Sequence, residues 1–396
     1  MDERQALALV PEADSLRETM RGLARHMLAS MDPSRTDRLF PPDSLAFQMN
    51  ALNLAHGACG SALFLHAALG ELPQAVREWL LAQPVELHAY PAGLYSGIAG
   101  VAWSFAELGL LQRGQELMAR VPESPVAFEA VDIFSGAAGW GLAALAFHLR
   151  TGDEAFRALA VRAGEHVVKS AGHSAAGAFW RNAKDGTAPL GFGYGGSGIA
   201  YFLLCLWRAT GEARYLETAR RAMDFEVAHA QERNGGLVWG SHSTATGHRP
   251  YWLRGGGGVA SALIRFFEVL KEERYLELAQ KAARGCMVTF SAAPHLFEGL
   301  ASMGETLLDM YRVTGEARYL ELARKQARQT LLFRIDRPQG VAFPGRYLLR
   351  ISHDYGMGGA GIGLFHHRLV TLVPRKFHDL FSEARADASR PHLASS

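Results

Sequence analysis

The chain has 396 residues, 48% hydrophobic and 20% charged, with a formal net charge of +2. That composition describes a globular protein with a sizeable core and excludes a disordered chain or a coiled coil. The near-neutral balance, with no basic cluster, offers nucleic acid no field, while 42 glycines exceed the roughly 7% that is ordinary.

The first residues, MDERQALALVPEAD, are acidic and lack the apolar core of a secretory signal, which predicts a cytoplasmic protein. Residues 1–48 read as an N-terminal helical segment and lead-in loop. A helix is predicted near 14–31, with Leu16, Met20, Leu23 and Met27 on one side, followed by the loop DPSRTDRLFPPD. From residue 49 one pattern recurs, a Gly-x-x-Gly that opens an apolar run. It reads HGACG (56–60), SGIAG (96–100), SGAAG (135–139), YGGSG (194–198), RGGGG (254–258), EGLAS (298–302) and MGGAG (357–361). These windows hold 17 of the 42 glycines, so the surplus is concentrated and not spread through loops. Each run leads to a turn, often Thr-Gly, and then to a charged amphipathic helix. Three of those helices are nearly identical: GEARYLETARRA, KEERYLELAQKAA and GEARYLELARKQA. Their Glu, Arg and Lys suit a solvated face, and Tyr, Leu and Ala recur at helical spacing to face inward.

A unit of one chargeless helix and one half-exposed helix cannot bury its apolar member alone. Seven such pairs predict an all-α fold, an α/α toroid over 49–372 with chargeless helices inside and charged ones outside. Residues 373–396 form a C-terminal tail, polar from about 383. An open solenoid is the alternative. Closure is preferred because the first inner run, SALFLHAAL, lacks a polar capping face. The chargeless windows 51–70, 87–106 and 186–207 are interrupted by glycines and by His, Asn, Ser or Tyr, so they read as buried helices and not membrane spans. Cys59, Cys205 and Cys286 are distant and odd in number, which predicts buried thiols without a disulfide framework.

If all inner helices run the same way, seven N-termini converge, and free amides make that end electropositive. The residues before the motif glycines line this mouth: His56, Ser96, Ser135, Tyr194, Arg254, Glu298 and Met357. Three positions earlier stand Asn53, Gly93, Asp132, Gly191, Tyr251, His295 and Asp354. Such polar groups beside apolar helices are costly unless satisfied or used. Plainer readings compete with function: Asp132 as a cap, Arg254 and Glu298 as a structural ion pair, Tyr194 as packing, His56 and His295 as satisfied histidines. His242, His248, His366 and His367 fall outside the pattern.

These motifs resemble the lanthionine synthetase C-like family over roughly residues 49–370. The resemblance implies an α/α barrel of seven hairpins that cyclises ribosomal peptides by adding cysteine thiols to dehydrated Ser or Thr. It also implies a zinc held by a Cys in the fifth unit and a Cys-His pair in the sixth, assisted by an Asp in the third and a His in the fourth. DIFSGAAG keeps the Asp as Asp132, but GFGYGGSG has Tyr194 in place of the His. YWLRGGGG carries Leu253, and HLFEGLAS carries Phe297 and Glu298, at the three ligand positions. A lone Glu cannot hold a catalytic zinc, so no cofactor is expected. The pattern is similar to the metal-independent cyclase domain of class III lanthipeptide synthetases, as is the lead-in DRLFPPDSLAF (37–47). Those proteins carry lyase and kinase domains ahead of the cyclase. Here no glycine-rich nucleotide loop with Val-Ala-x-Lys, no His-Arg-Asp and no Asp-Phe-Gly occurs, so the expectation is a cyclase module alone. Its partners would be a precursor peptide and separate kinase and lyase proteins.

In that reading a peptide thiol adds to dehydroalanine or dehydrobutyrine, giving lanthionine or labionin. Arg254 and the helix N-termini hold the enolate, Tyr194 protonates the α-carbon, and Asp132 orients or relays. His295 or His56 is the base, and Glu298 completes the set. Asn53, Tyr251, Trp252, Asp354 and Tyr355 contact the peptide. Two other readings stand: a degenerate toroid that scaffolds separate enzymes, and a carbohydrate enzyme using Asp132 and Glu298 as paired acids beside Tyr251 and Trp252.

Overall fold

A computed structural model describes residues 11–381 apart from 89, 184 and 289. Positions 1–10 and the polar stretch from 383 lie outside the described residues. Helix α1 (Pro11–Ala29) comes first. The glycine-opened helices are α2 (Ala58–Leu69), α4 (Ile98–Glu107), α6 (Ala137–Thr151), α8 (Gly196–Thr210), α10 (Gly256–Leu270), α12 (Leu300–Thr314) and α14 (Gly359–Thr371). Six of them are followed by an outer partner: α3 (Gln74–Ala82), α5 (Leu111–Arg120), α7 (Glu154–Lys169), α9 (Ala213–Ala228), α11 (Glu273–Gly285) and α13 (Ala317–Thr330). No helix among the described residues is long and apolar enough to cross a membrane.

Each glycine-opened helix touches the next, and α14 touches α2, so the inner ring is closed. The seventh outer position is filled from the other end of the chain, by α1 packed on α14 and α2. The seven consecutive pairs expected from the repeat are therefore six pairs plus one assembled from the two ends. That arrangement staples the ring shut.

The two helix types follow from their sequences. In α8 every side chain from Ser197 to Leu206 is buried. In α9 only Tyr215, Ala219, Ala222, Met223, Phe225 and Glu226 are. The hairpin turns end on Gly211 (φ 75°) and Gly315 (φ 69°), left-handed positions that glycine occupies without strain. The repeated Arg-Tyr-Leu buries the tyrosine ring while the preceding arginine lies over it. Arg214, Arg274 and Arg318 donate to the hydroxyls of Tyr215, Tyr275 and Tyr319 at 2.9, 2.5 and 3.1 Å.

Three small antiparallel hairpins follow outer helices: β1 (Gly172–Ser174) with β2 (Gly177–Phe179), β3 (Gln231–Arg233) with β4 (Gly236–Val238), and β5 (Ile335–Arg337) with β6 (Gly340–Ala342). The second turns on Asn234 and Gly235, both at positive φ, the residue pair that a tight hairpin favours.

Ahead of each inner helix the chain passes the centre of the ring in extended form. There the amide of Ala55 bonds Tyr95, Tyr95 bonds Phe134, and Phe134 bonds Gly193. Gly193 then bonds Leu253, Leu253 bonds Phe297, Phe297 bonds Gly356, and Gly356 bonds Ala55, all at 2.8–3.2 Å. Seven equivalent residues thus form one closed collar of backbone hydrogen bonds. At ordinary strand spacing such a collar is only about 11 Å across. The second motif glycine makes this crossing feasible. A Cβ at Gly198 would sit 1.9 Å from the Phe192 oxygen, and one at Gly100 would sit 1.7 Å from the Leu94 oxygen. In the sixth unit Ser302 replaces that glycine, and its hydroxyl accepts the Trp252 amide at 2.7 Å.

Inside the collar the lumen is filled with aromatic rings. Tyr95 packs on Phe134, Trp252, Phe297, Tyr355 and Phe377 at 5.2–6.3 Å between centroids. The far end, toward the C-termini of the inner helices, is closed by residues 375–381, which the sequence assigned to a tail. Phe377 lies 4.0 Å from Trp103, and the His378 carbonyl accepts the Tyr201 hydroxyl at 2.6 Å. Arg375 and Asp379 join a buried network of Arg265, Asp309, Arg368 and Glu305.

Candidate functional site

The residues just before the helices sit on the outer rim of the collar. Their backbone is held by a repeated device. The oxygen of the residue four before the helix-capping glycine accepts the amide three positions on: Asn53 from His56 (2.8 Å), Asp132 from Ser135 (2.7 Å) and Asp354 from Met357 (2.7 Å). These are local side-chain turns, for which Asn and Asp are suited. Asp132 therefore holds the loop ahead of its helix, but it is not the helix cap expected from the sequence: Gly136 stands at that position and no side chain caps it. Burial pushes its carboxyl up to about 6, against the pull of neighbouring amides.

The first-turn amides of the helices are not free, contrary to expectation. Ala58, Ile98, Ala137, Gly256, Leu300 and Gly359 each bond a carbonyl seven residues upstream, at 2.8–3.0 Å. The preceding loop wraps back and consumes the donors that an anion would use. Positive charge at the mouth must come from side chains.

One side of the rim carries Tyr194 and Arg254. The Arg254 guanidinium lies 4.7 Å over the Tyr194 ring, which stacks on Phe134 at 4.7 Å. Burial raises the Tyr194 hydroxyl well above the usual range, and Asp132, Arg254, Glu298 and Arg346 all act on it. The expected Arg254–Glu298 ion pair does not form. Glu298 reaches Arg249 at 3.8 Å, and the buried Nε of Arg254 has no hydrogen-bond partner.

The other side carries His56. Its Nδ1 donates to Asp354 Oδ1 at 3.2 Å. Burial would raise the Asp354 carboxyl, but His56, Ser352 and the Met357 amide outweigh it and hold it at about 2. The amide of Asp43 binds its second oxygen at 3.0 Å. The lead-in loop closes over this pair, with Pro41 accepting the His353 amide at 2.8 Å. A small cavity of ≈ 10 Å³, room for about one water, lies here, lined by His56, Ser61, Asp354 and residues of the loop 37–46.

Other predicted site residues fall elsewhere. His295 is buried and donates Nε2 to the Pro344 carbonyl at 3.0 Å, and burial lowers its pKa. Trp252 is core: its Nε1 donates to His378 at 2.8 Å and its ring stacks on Phe297 at 5.4 Å. Tyr355 joins the same aromatic cluster, and Asn53 is fully buried. Tyr251 is half-exposed, its hydroxyl 3.4 Å from Ser291. Arg346 and Asp43, 3.7 Å apart at the rim, were missed because neither lies in the repeat.

The positions at which the resemblance places zinc ligands do not fit zinc. Leu253 packs against Gly193 and Phe297 against Trp252, so both offer only hydrocarbon. Glu298 alone supplies an oxygen. Among the described residues no three His, Cys, Asp or Glu side chains form a group that could hold a metal. The three thiols are buried, and burial raises Cys205 and Cys286 to about 12.

A closed α/α toroid with seven inner helices is a fold also found in a peptide cyclase and in glycosidases. The model of the lanthionine synthetase C-like protein family matches residues 48–381, and the chain belongs to that family. It is 28% identical over 342 residues to a probable SapB synthase of Streptomyces coelicolor. The match covers 86% of this chain and 36% of that protein, so the chain spans about a third of the relative's length. Nisin cyclase has a similar structure (TM-score 0.65, 13% identity, 84% of this chain and 93% of that one). So does the GH76A α-1,6-mannanase of Salegentibacter sp. HEL1_6 (TM-score 0.53, 12% identity, 93% and 99%). At these identities what the solved structures share with the chain is the fold.

Proposed function

We propose that this protein closes thioether rings in a ribosomally made peptide, adding cysteine thiols to dehydroalanine or dehydrobutyrine without a metal. The observation that carries the proposal is the pairing of functions across one narrow rim. The first unit supplies a histidine fixed by an ionised carboxylate, His56 with Asp354, and the fourth and fifth supply a protonated phenol beneath a guanidinium whose buried Nε has no hydrogen-bond partner among the described residues, Tyr194 with Arg254. With its Nδ1 proton held by Asp354, His56 has Nε2 left as the base that takes the thiol proton. The thiolate attacks the β-carbon, and the negative charge passes to the carbonyl oxygen as an enolate, which Arg254 binds. Tyr194, whose raised pKa keeps it protonated, gives its proton to the α-carbon. The imidazolium then returns a proton to the phenolate through solvent, and the enzyme is restored. Dehydration of the peptide, by kinase and lyase activities, precedes ring closure, and lanthionine is the minimum product.

The glycosidase reading has less behind it. Substitution of two consecutive aspartates gives the inactive variants of the related mannanase, and this chain has no two consecutive aspartates. The scaffold reading draws on the hydrocarbon at Leu253 and Phe297, yet gives no purpose to Arg254 held over the Tyr194 ring. The test is direct. Purified protein is mixed with a dehydrated, cysteine-bearing peptide, and rings are counted as thiols resistant to alkylation. Rings should form faster than without protein, and equally fast with a chelator. No acceleration would leave the scaffold reading.

A further inference from the structure

The fourth unit breaks the rule that the other six obey. Its first helical amides find no carbonyl seven residues upstream, and position 191 is a glycine, as Gly93 is in the second unit, so it lacks the side-chain acceptor of Asn53, Asp132 or Asp354. The loop from Gly191 to Ser197 holds four glycines in seven residues, and Gly191 itself sits at φ 105°. Left alone, this would be the least constrained segment of the rim, yet it presents Tyr194.

A carboxylate from the outer ring replaces the missing partners. Glu226, on α9, is fully buried. Its Oε1 accepts the Ser197 amide at 2.8 Å, and both oxygens lie 3.3 Å from the Gly191 amide. A Cβ on Gly196 would stand 3.1 Å from Oε1, so that glycine leaves room for the intrusion. The sister helices show that the acid is not required to build α9. Eleven residues after the repeated tyrosine, where α9 has Glu226, α11 has Cys286 and α13 has Thr330. Burial is unfavourable to this carboxylate and raises it to about 8, even with the amides pulling it down. A buried acid held at such a cost, at one repeat of the set, indicates local use.

We propose that Glu226 is the positioning residue of the proposed active site, clamping both ends of the glycine-rich loop so that the Tyr194 hydroxyl is held over the rim. This rests on the cyclase reading for Tyr194, but the clamp itself does not. Tyr194 is the group in contact with substrate, and Glu226 acts only through it. Preorganisation of this kind raises turnover more than it changes binding.

The experiment compares Glu226→Ala and Glu226→Gln in the full chain by amide hydrogen exchange and by kinetics on a dehydrated cysteine-bearing peptide. Glu226→Ala should speed exchange at Gly191 and Ser197 by about 100-fold, leave the other inner helices protected, and lower kcat about tenfold at constant KM. Glu226→Gln keeps one acceptor oxygen and should restore most of both. Unchanged exchange at Gly191 and Ser197 in Glu226→Ala would overturn the proposal. So would a Glu226→Gln protein that folds and loses turnover as fully as a charge deletion. If the alanine variant does not fold, the glutamine variant decides alone. If the wild-type protein closes no rings, the exchange result still tests the clamp, and only the function proposed for Tyr194 fails.

Discussion

Charged side chains gather at both ends of this ring, but the two gatherings differ in kind. At the far end Arg265, Arg368 and Arg375 meet Glu305, Asp309 and Asp379, all buried and all paired. Arg312 links Asp379 to Glu268 at the edge. Every charge there has an opposite partner, and the C-terminal segment completes the set. At the collar end the pairing is incomplete. Arg254 has an unpartnered buried Nε, Tyr194 is held protonated, and Glu298 reaches past Arg254 to Arg249. Sealed and balanced charge suits architecture, whereas the open and unbalanced end is where the proposed chemistry is placed.

The contrast can be broken at either end. The largest effect should come from the sealed end. Asp309→Ala leaves Arg265, Arg368 and Arg375 short of a buried counter-charge, and such a loss costs about 3–5 kcal/mol. Chemical denaturation should show that loss or a failure to fold. A shift under about 1 kcal/mol would mean that the network is wet and of little weight.

At the open end the fold should hold while turnover falls. Asp354→Asn keeps an acceptor for the Met357 amide but removes the charge that orients His56. Ring closure should slow by about 10²-fold with little change in melting temperature. A variant that destabilises the protein but cyclises normally would move Asp354 to the architectural side.

A smaller effect separates buried histidines from the site. Burial lowers His366 to about 3, and the unfolded chain titrates near 6.5. The unfolded state therefore binds a proton that the folded state refuses as pH falls below 6.5. The stability due to the neutral imidazole is full above that pH and is lost on the way down toward 3. Relative to wild type, His366→Leu should gain about 1 kcal/mol between pH 7 and 5.5. Denaturation curves at the two pH values measure it, and a constant gap would show that His366 charges freely in the fold.

Much of the architecture could be read in advance because steric demand wrote it into glycine. A Cβ at Gly100 or Gly198 would collide with a carbonyl, so the repeat marks where chain crosses helix. The Tyr215, Tyr275 and Tyr319 stripes likewise announce three outer helices. What escaped was long-range. Nothing local in Leu16 or Met20 says that α1 packs on α14, more than 300 residues later, and nothing in Phe377 says that it enters the lumen. The expectation of free amides failed because the donors were counted and the carbonyls of the returning loop were not. Asp132 was legible both as a helix cap and as a site, and the structure gives it neither directly: it accepts the Ser135 amide within the loop, while Gly136 stands at the cap. Trp252 was expected to contact the peptide and is core. Arg346 and Asp43 carried no signal in the repeat. Glu226 did carry one, as an acid where sister helices have Cys286 and Thr330.

The central claim is that Tyr194, and not the toroid as a mere platform, completes ring formation. The measurement is single-turnover ring closure by Tyr194→Phe against wild type, on one dehydrated cysteine-bearing peptide, with peptide affinity determined in parallel. Loss of only the hydroxyl should slow closure by about 10²-fold at unchanged affinity. A phenylalanine variant that closes rings as fast as wild type would contradict the account.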